Sequence, residues 1–413
     1  MARILIVGGS LGGLMAANLL HRAGHDVQVL ERSSRSLDGR GAGIVTHAVL
    51  LDALRVAGAM VDDTLGVAVT ERVVLAADGR TECRWSYPQI LTSWGRLYAL
   101  LRQALPDACH RLNAAVTAVD SHCDAVEAHL ANGERLRADL LIACDGIRST
   151  VRAQLAPQVQ PLYAQYVAWR GVCDEALLSA FTRRTLFPHF GFGVPDHEQM
   201  IGYPVAGSGN RTDTGHRRWN FVWYRPAAAG AELAALMTDA DGHHHESGIP
   251  PNQVSWRATA AMRESARRLL APQFAEIVEK TALPFLQPIY DLASATLAFD
   301  RVALLADAAL VARPHVGMGV SKAAEDALAL AGCIAAEGAT PRALQRYESM
   351  RLRPGLAVVE RGRQLGRYLE AGVAGKSQSH GVPRPTRSAE SVMRQTAVDA
   401  SEFEAAGRAA VAA

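Results

Sequence analysis

Near the start of the chain Gly8, Ser10, Leu11, Gly12 and Gly13 form a glycine-rich turn, and an acid, Glu31, follows eighteen positions after Gly13. Glycines let a backbone turn sharply and come close to a pyrophosphate, offering it amide N–H groups and the positive end of a helix. An acid ending the next strand is placed to accept hydrogen bonds from a ribose. Holding a dinucleotide is the chemistry this set suits. Gly8 and Gly13 keep the usual fingerprint, Ser10 stands at its second glycine, and Gly12 is an extra. Glycine spacing alone also fits a structural turn; the acid in register, with Arg32 beside it, makes a nucleotide cofactor the reading. Two more carboxylates, Asp145 and Asp307, each end an apolar run, at 140–143 and 301–306.

The elements that must position these residues follow from periodicity. An apolar run at 4–7 predicts a buried strand, 14–23 a helix and 27–30 a second strand, which together make a βαβ unit. A second glycine-bearing turn runs from Arg40 to Ile44, before a helical spacing at 48–58 with Gly58 as its stop. Alternation around Asp78-Gly79 predicts a hairpin over 72–85, then a helix over 97–105 and a β-meander over 116–136. Strand 140–143 leads into Asp145, Gly146, Arg148 and Ser149. From about 160 to 288 short strands rich in aromatics (166–171, 199–203, 219–224) and two helices (257–270 and 273–281) suggest an inserted antiparallel-sheet domain. Strand 301–307, the turn Gly317 to Gly319 and a helix over 321–336 complete the pattern. The tail after Gly375 is polar and Ala-rich and offers no motif. Strand ends carrying Gly8 to Gly13, Asp145 and Asp307 belong in one crevice, because ligands of open α/β sheets bind at the carboxyl ends of strands.

Bulk properties narrow the class. The 413 residues are too many for one simple core, and 43 Lys plus Arg against 41 Asp plus Glu advertise neither nucleic acid nor anionic lipid as a partner. Six cysteines lie scattered without a Cys-x-x-Cys pair, as expected of free thiols in a reducing cytosol. The first strand begins almost at Met1 and no apolar run reaches membrane-spanning length, so the expectation is a cytoplasmic protein. The run Asp239 to Glu246 holds three consecutive histidines, but consecutive side chains diverge, and no metal site is expected.

On these residues the chain resembles the single-component flavin aromatic hydroxylases, the para-hydroxybenzoate hydroxylase type. The family's fingerprint corresponds to Gly8 to Gly13 with Glu31, its middle motif to the stretch from Asp139 to Arg152, and its flavin-ribityl motif to Asp307-Ala-Ala, spread over about residues 1–370. Tyr203-Pro-Val, Trp219 to Arg225 and Arg313 to Gly319 with Lys322 are similar to the 2,6-dihydroxypyridine 3-hydroxylase branch. There are departures: Ser10 and Ala306 for glycines, Leu310 for a common histidine, and Trp94 where relatives often carry a flavin-contacting arginine.

The resemblance implies a Rossmann-like FAD-binding domain (1–70, 96–160 and 288–375), an inserted antiparallel-sheet substrate domain (71–95 and 161–287) and a tail (376–413). It implies noncovalent FAD, NADH or NADPH as co-substrate, O2, and hydroxylation of an electron-rich aromatic or hydroxypyridine ring through a flavin C4a-hydroperoxide. A homo-oligomer is compatible with it. Asp307 would accept from the ribityl hydroxyls, Arg40 face the pyrophosphate, and the helix opening after Pro314 aim backbone N–H groups from Gly317 to Val320, Met318 and Gly319 among them, at the reduced ring. The plain alternative for Asp307 is a helix N-cap, and Asp145 is as well explained by a structural role as by contact. A base near the flavin is required; His315 is the first candidate, Tyr203 the second and His189 the third, each weighed against ordinary packing. The alternatives are a flavin reductase or halogenase of the same fold, or a flavoprotein that only binds FAD; no Trp-x-Trp-x-Ile-Pro stretch supports the halogenase.

Overall fold

The chain opens on β1 (Arg3–Val7), buried from Ile4 onward, and α1 (Leu11–Arg22), which returns it to β2 (Asp26–Leu30). A strand buried on both faces reads as a continuous apolar run, the mark of a parallel strand between helical layers. The structure, a computed structural model, describes residues 1–37, 43–374 and 387–399. There follow β3 (Gly43–Val45), α2 (Ala48–Val56), the long pair β4 (Val67–Leu75) and β5 (Thr81–Ser93), α3 (Trp94–Ala104) and β6 (His110–Arg111). Then come β7 (Val116–Ser121), β8 (Val126–Leu130), β9 (Arg135–Ala138), β10 (Leu140–Ala143) and α4 (Thr150–Leu155). The inserted region carries β11 (Leu162–Asp174), α5 (Ala180–Leu186), β12 (His189–Gly193), β13 (Gln199–Val205), β14 (Arg218–Pro226), α6 (Ala231–Leu236), α7 (Trp256–Leu269) and α8 (Pro272–Lys280). The chain closes with β15 (Phe285–Ala293), β16 (Ala298–Phe299), β17 (Val302–Leu304), β18 (Leu310–Val311), α9 (Gly319–Glu337), α10 (Pro341–Ala374) and α11 (Ala389–Gln395).

β6, β2, β1, β10 and β17 are parallel neighbours in that order, with β16 antiparallel at the edge. The chain winds one way from β1 to β2 and the other way to β10, which puts the switch point, and its crevice, at the ends of β1 and β10. β7, β8 and β9 form the expected meander. The third sheet runs β18-β15-β11-β14-β13-β12-β4-β5-β3, antiparallel except where β12 meets β4. Its registers sort the aromatics by face: Tyr166, Phe190, Phe192, Tyr203 and Tyr224 lie on one, and Trp169, Trp219, Phe221 and Trp223 lie on the other with α7 and α8.

Among the elements not predicted from sequence, which include α10 and β15, three show why. α5, capped by Ser179, is only 7 residues long, too short to display a period. β12 reads His-Phe-Gly-Phe-Gly and so resembles a loop, yet Gly191 is needed because a Cβ there would lie 3.1 Å from both Leu186 and Phe274. The tail corrects the sequence reading: within it, α11 buries Val392 and Met393 against the sheet. The histidine run is a turn held by Asp239, which accepts from the amides of Asp241 and His243 (2.9 Å each) and lies 2.6 Å from His245 Nε2.

Candidate active site

The glycine turn is built as its residue types require. Gly8 has φ +103°, and a Cβ there would lie 2.4 Å from the Cys144 carbonyl oxygen; one on Gly13 would lie 1.9 Å from the Gly8 oxygen. Ser10, by contrast, is extended at φ −85°, so the position does not require glycine, and its hydroxyl makes no capping bond within α1. Leu11, the first residue of α1, is buried in the core. Glu31 is buried and accepts from the amides of Gly9 and Ser33, 2.8 Å each, so it ties the turn to the end of β2. Gly8, Ser10 and Glu31 line a cavity of about 420 Å³ with Arg32, Trp94, Asp145 and Arg148. Trp94, the departure from the family's arginine, stacks on Tyr98 with centroids 5.0 Å apart.

A second cavity of about 660 Å³ meets the first at Arg148 and is lined by Arg152, Arg170, Gln287, Tyr290, Asp307 and Pro314. Asp307 opens into this cavity, while the protein around it raises its proton affinity by desolvation; the Lys322 ammonium opposes that shift. Lys322 is itself 1 % exposed, paired to Asp326 at 2.9 Å, and donates to the Ala306 carbonyl at 3.4 Å. Ala306 sits at φ +55°, which explains the glycine usual there, and Gly12 gives it room: a Cβ on Gly12 would lie 2.7 Å from the Ala306 methyl. Arg152 joins the strand ends, donating to the carbonyls of Ala308 (2.9 Å) and Ile147 (2.5 Å). Asp145 accepts from the Val151 amide at 3.3 Å while its other oxygen has no hydrogen-bond partner among the described residues; burial raises its proton affinity.

Pro314 to Val316 make one turn of 3₁₀ helix, Gly317 takes φ +68°, Met318 caps α9 and Gly319 and Val320 begin it. The first N–H groups of a helix have no intrahelical partner, so this 19-residue helix offers free donors and its positive end at the crevice. The donor set thus fits a dinucleotide: a glycine cradle, an acid at each ribose-like position, and a helix N-terminus. Arg40 lies outside the described residues.

Of the three candidate bases the structure brings two to the sheet face of Tyr166 and Tyr224: Tyr203 within the sheet, and His315 packed on Tyr224 with ring centroids 4.5 Å apart. Tyr203 is paired across strands with Asn220; burial raises its phenol, as it does that of Tyr224 on the same face, and neither hydroxyl is hydrogen-bonded among the described residues. The 660 Å³ cavity opens on this face, since Arg170 in its lining pairs with Val222, two residues from Tyr224. His315 is 0 % exposed, shares a 2.5 Å hydrogen bond with the Tyr166 hydroxyl, and has its proton affinity pushed down to about 3, chiefly by burial. His189 pairs with Glu71 on the opposite face, 3.6 Å from its carboxylate. Sequence reasoning passed over Asn220 and His47. Asn220 accepts from the Gly43 amide at 2.9 Å and leaves Nδ2 buried without a partner among the described residues; the one polar side chain between Trp219 and Phe221 was its signal. His47, at the head of α2, lies 2.8 Å from the Ser321 hydroxyl in the first turn of α9, and burial lowers its proton affinity to about 4.

Comparison with known proteins agrees with this geometry. The pattern of an NAD(P)-binding Rossmann-like domain matches residues 6–52, and that described as FAD binding domain-like matches 163–291. The chain is 30% identical over 374 residues to the 2,6-dihydroxypyridine 3-monooxygenase of Paenarthrobacter nicotinovorans, covering 90% of this chain and 92% of that protein. It is 30% identical over 364 residues to the aurachin C monooxygenase/isomerase of Stigmatella aurantiaca, covering 84% and 85%. The solved 2,6-dihydroxypyridine-3-hydroxylase of Arthrobacter nicotinovorans has a TM-score of 0.84 at 29% identity, over 90% of this chain and 93% of that one. With cradle, crevice and sheet face all in place, the chain belongs to the single-component FAD-dependent aromatic hydroxylases of the para-hydroxybenzoate hydroxylase type, which use NAD(P)H and O2 to hydroxylate a ring.

Proposed function

We propose that the ring is a hydroxypyridine or a similar electron-rich heteroaromatic, bound on the sheet face of Tyr203, Asn220 and Tyr224. What supports this is the chemistry of those groups: two phenols whose protons are held more tightly than usual and an amide donor, buried and without a partner among the described residues, on a face that also carries Arg170 from the cavity lining. Neutral donors of this kind steady a ring oxygen as it gains negative charge, without themselves removing a proton. A hydroxypyridine, whose ring oxygen is readily a carbonyl or an oxyanion, suits such a pocket better than a phenol that needs a strong base. The 2,6-dihydroxypyridine relative, named for that substrate, points the same way.

Bound FAD, reduced by NADH or NADPH, supplies oxygen activation, with one oxygen atom going to the ring and the other leaving as water. Around it, the assigned roles are a pyrophosphate cradle at Gly8 to Gly13, a ribityl acceptor at Asp307, and N–H donors at Gly319 and Val320. Tyr203 and Asn220 orient the ring oxygen. His315, too weakly basic at about 3 to take a proton near neutrality, positions the Pro314 to Gly319 loop through Tyr166. Residues 1–70, 96–160 and 288–375 form the FAD side of this scheme, and 71–95 with 161–287 the ring side. The six unpaired cysteines favour a reducing, cytoplasmic setting. The test is product analysis with 2,6-dihydroxypyridine, 6-hydroxynicotinate and para-hydroxybenzoate. Hydroxypyridines should give hydroxylated product with at least about tenfold higher kcat/KM, or about 1.4 kcal/mol; a preference for the benzoate would overturn the proposal.

A further inference from the structure

We propose that residues 396–399, brought back across the sheet after α11, are the outer wall of the ring chamber, and that Arg72 on β4 is the latch that holds this wall and so sets which rings fit. The inference rests on the reading of the Tyr203 face as the ring-binding face.

Arg72 is 0 % exposed, on the same face as Phe190 and Tyr203. Its guanidinium is used up by acceptors, none of which in its hydrogen-bond set is a carboxylate. Nε and Nη2 donate to Gln89 Oε1 at 2.9 and 2.6 Å; Nη1 donates to the carbonyls of Met393 (3.0 Å) and Thr396 (2.6 Å), and Nη2 to that of Ala397 (2.5 Å). Met393 and Thr396 are at the end of α11, where carbonyls lack an intrahelical partner and attract cations. Four rings close over the charge, with Tyr87, Phe190, Trp85 and Phe192 centroids 4.5, 4.9, 5.4 and 5.8 Å away. Burying an arginine in a sheet is costly unless every donor is met. Here three of the acceptors come from a segment more than three hundred positions away, so the residue is spent on holding that segment.

The held segment reaches the chamber on three sides. The Ala397 amide donates to the His315 carbonyl at 2.9 Å, and Gly317 is pressed against it: a Cβ on Gly317 would lie 2.5 Å from the Ala397 Cβ. Gln199 on β13 donates to the Thr396 hydroxyl at 3.1 Å, and the Asp399 amide to the Tyr87 hydroxyl at 3.2 Å. The Asp399 carboxylate is also close enough to raise the proton affinity of His47 against its burial. The segment therefore bridges the sheet face, the Pro314 to Gly319 loop and the head of α2. Widening or narrowing it changes the room left for a ring without touching the dinucleotide cradle.

The test uses the full chain with FAD bound, comparing wild type, Arg72→Met and Arg72→Lys by amide hydrogen exchange and by ring titration against the flavin absorbance. In wild type a bound hydroxypyridine should slow exchange at Ala397 and Asp399 at least tenfold. Arg72→Met should speed exchange over 392–399, keep FAD, and shift the ratio of quinoline-type to pyridine-type affinity at least tenfold toward the larger ring; Arg72→Lys should fall between. If rings bind and are hydroxylated while neither exchange nor size preference moves in Arg72→Met, the latch is overturned and the hydroxylase reading stands. If Arg72→Met does not fold, unchanged wild-type exchange on ring binding overturns it equally. No response of the flavin to any ring in either protein would instead remove the ring-face reading, and the latch with it.

Discussion

Ala306 and Gly12 are a matched pair. An L-residue in the left-handed region costs on the order of 1–2 kcal/mol, and Ala306 bears that at φ +55° one position before Asp307. Its methyl is tolerated because Gly12 has none. Gly12→Ala should therefore lower FAD affinity at least about tenfold, roughly 1.4 kcal/mol, and Ala306→Gly should restore it in the double variant. Fluorescence titration of the apoprotein with FAD gives all four affinities; strictly additive losses would mean that the two positions do not interact. Asp307→Ala removes a charged acceptor at a cost of about 1.5–3 kcal/mol if the carboxylate meets the ribityl chain. Full FAD retention by that variant after gel filtration would leave Asp307 a structural residue.

The loop from Arg313 to Gly319 is braced as an element. Arg313 pairs with Asp291 at 2.8 Å and with Glu370, His315 meets Tyr166, and Gly317 abuts Ala397. His315 and His47 are buried, with proton affinities lowered to about 3 and about 4 from an unfolded value near 6.5. Both are neutral above that value in either state. As pH falls below 6.5 the unfolded chain gains protons that the native loop refuses, so stability is lost by up to about 1.4 kcal/mol per histidine per pH unit, down to about pH 4 for His47. Melting temperatures between pH 7 and pH 4 should fall less steeply for His315→Gln than for wild type; parallel curves would contradict the buried, neutral state. The same variant separates the two roles for His315. A positioning role predicts a changed KM for the ring with modest loss of product, whereas a base for the ring predicts intact flavin reduction and a product loss of roughly 10²-fold. What sequence could show at this scale followed from range. The β1-α1-β2 unit with Glu31 was legible because its strand, glycines and acid lie within 31 residues. The latch at Arg72 was not, because its acceptors are backbone carbonyls at 393, 396 and 397, which carry no residue-type signal. His315 stands out in sequence as a histidine beside Pro314, but nothing local announces that Tyr166 closes over it.

At the scale of the molecule, two cavities meet at Arg148, which reaches across the crevice to Glu246, donating to its carboxylate and, at 2.7 Å, to its carbonyl. Both partners are exposed, so the bridge holds the two sides together only weakly and can open. A nicotinamide must reach the flavin from outside, while the ring chamber must be shut to water, because oxygen activated in an open site is lost as peroxide. One crevice meets both demands only if it changes state between reduction and hydroxylation, which is a gating motion rather than chemistry. The exposed Arg148–Glu246 bridge is where such a motion costs least. Ring binding should then license reduction: in anaerobic stopped-flow with NADH or NADPH, the right hydroxypyridine should accelerate flavin reduction at least tenfold, about 1.4 kcal/mol of barrier. Glu246→Gln, which weakens the bridge without emptying it, should raise the ring-free rate and the share of peroxide released. Equal reduction rates with every ring and with none, in wild type and variant alike, would mean that the crevice is not gated and that the ring reports only to its own chamber.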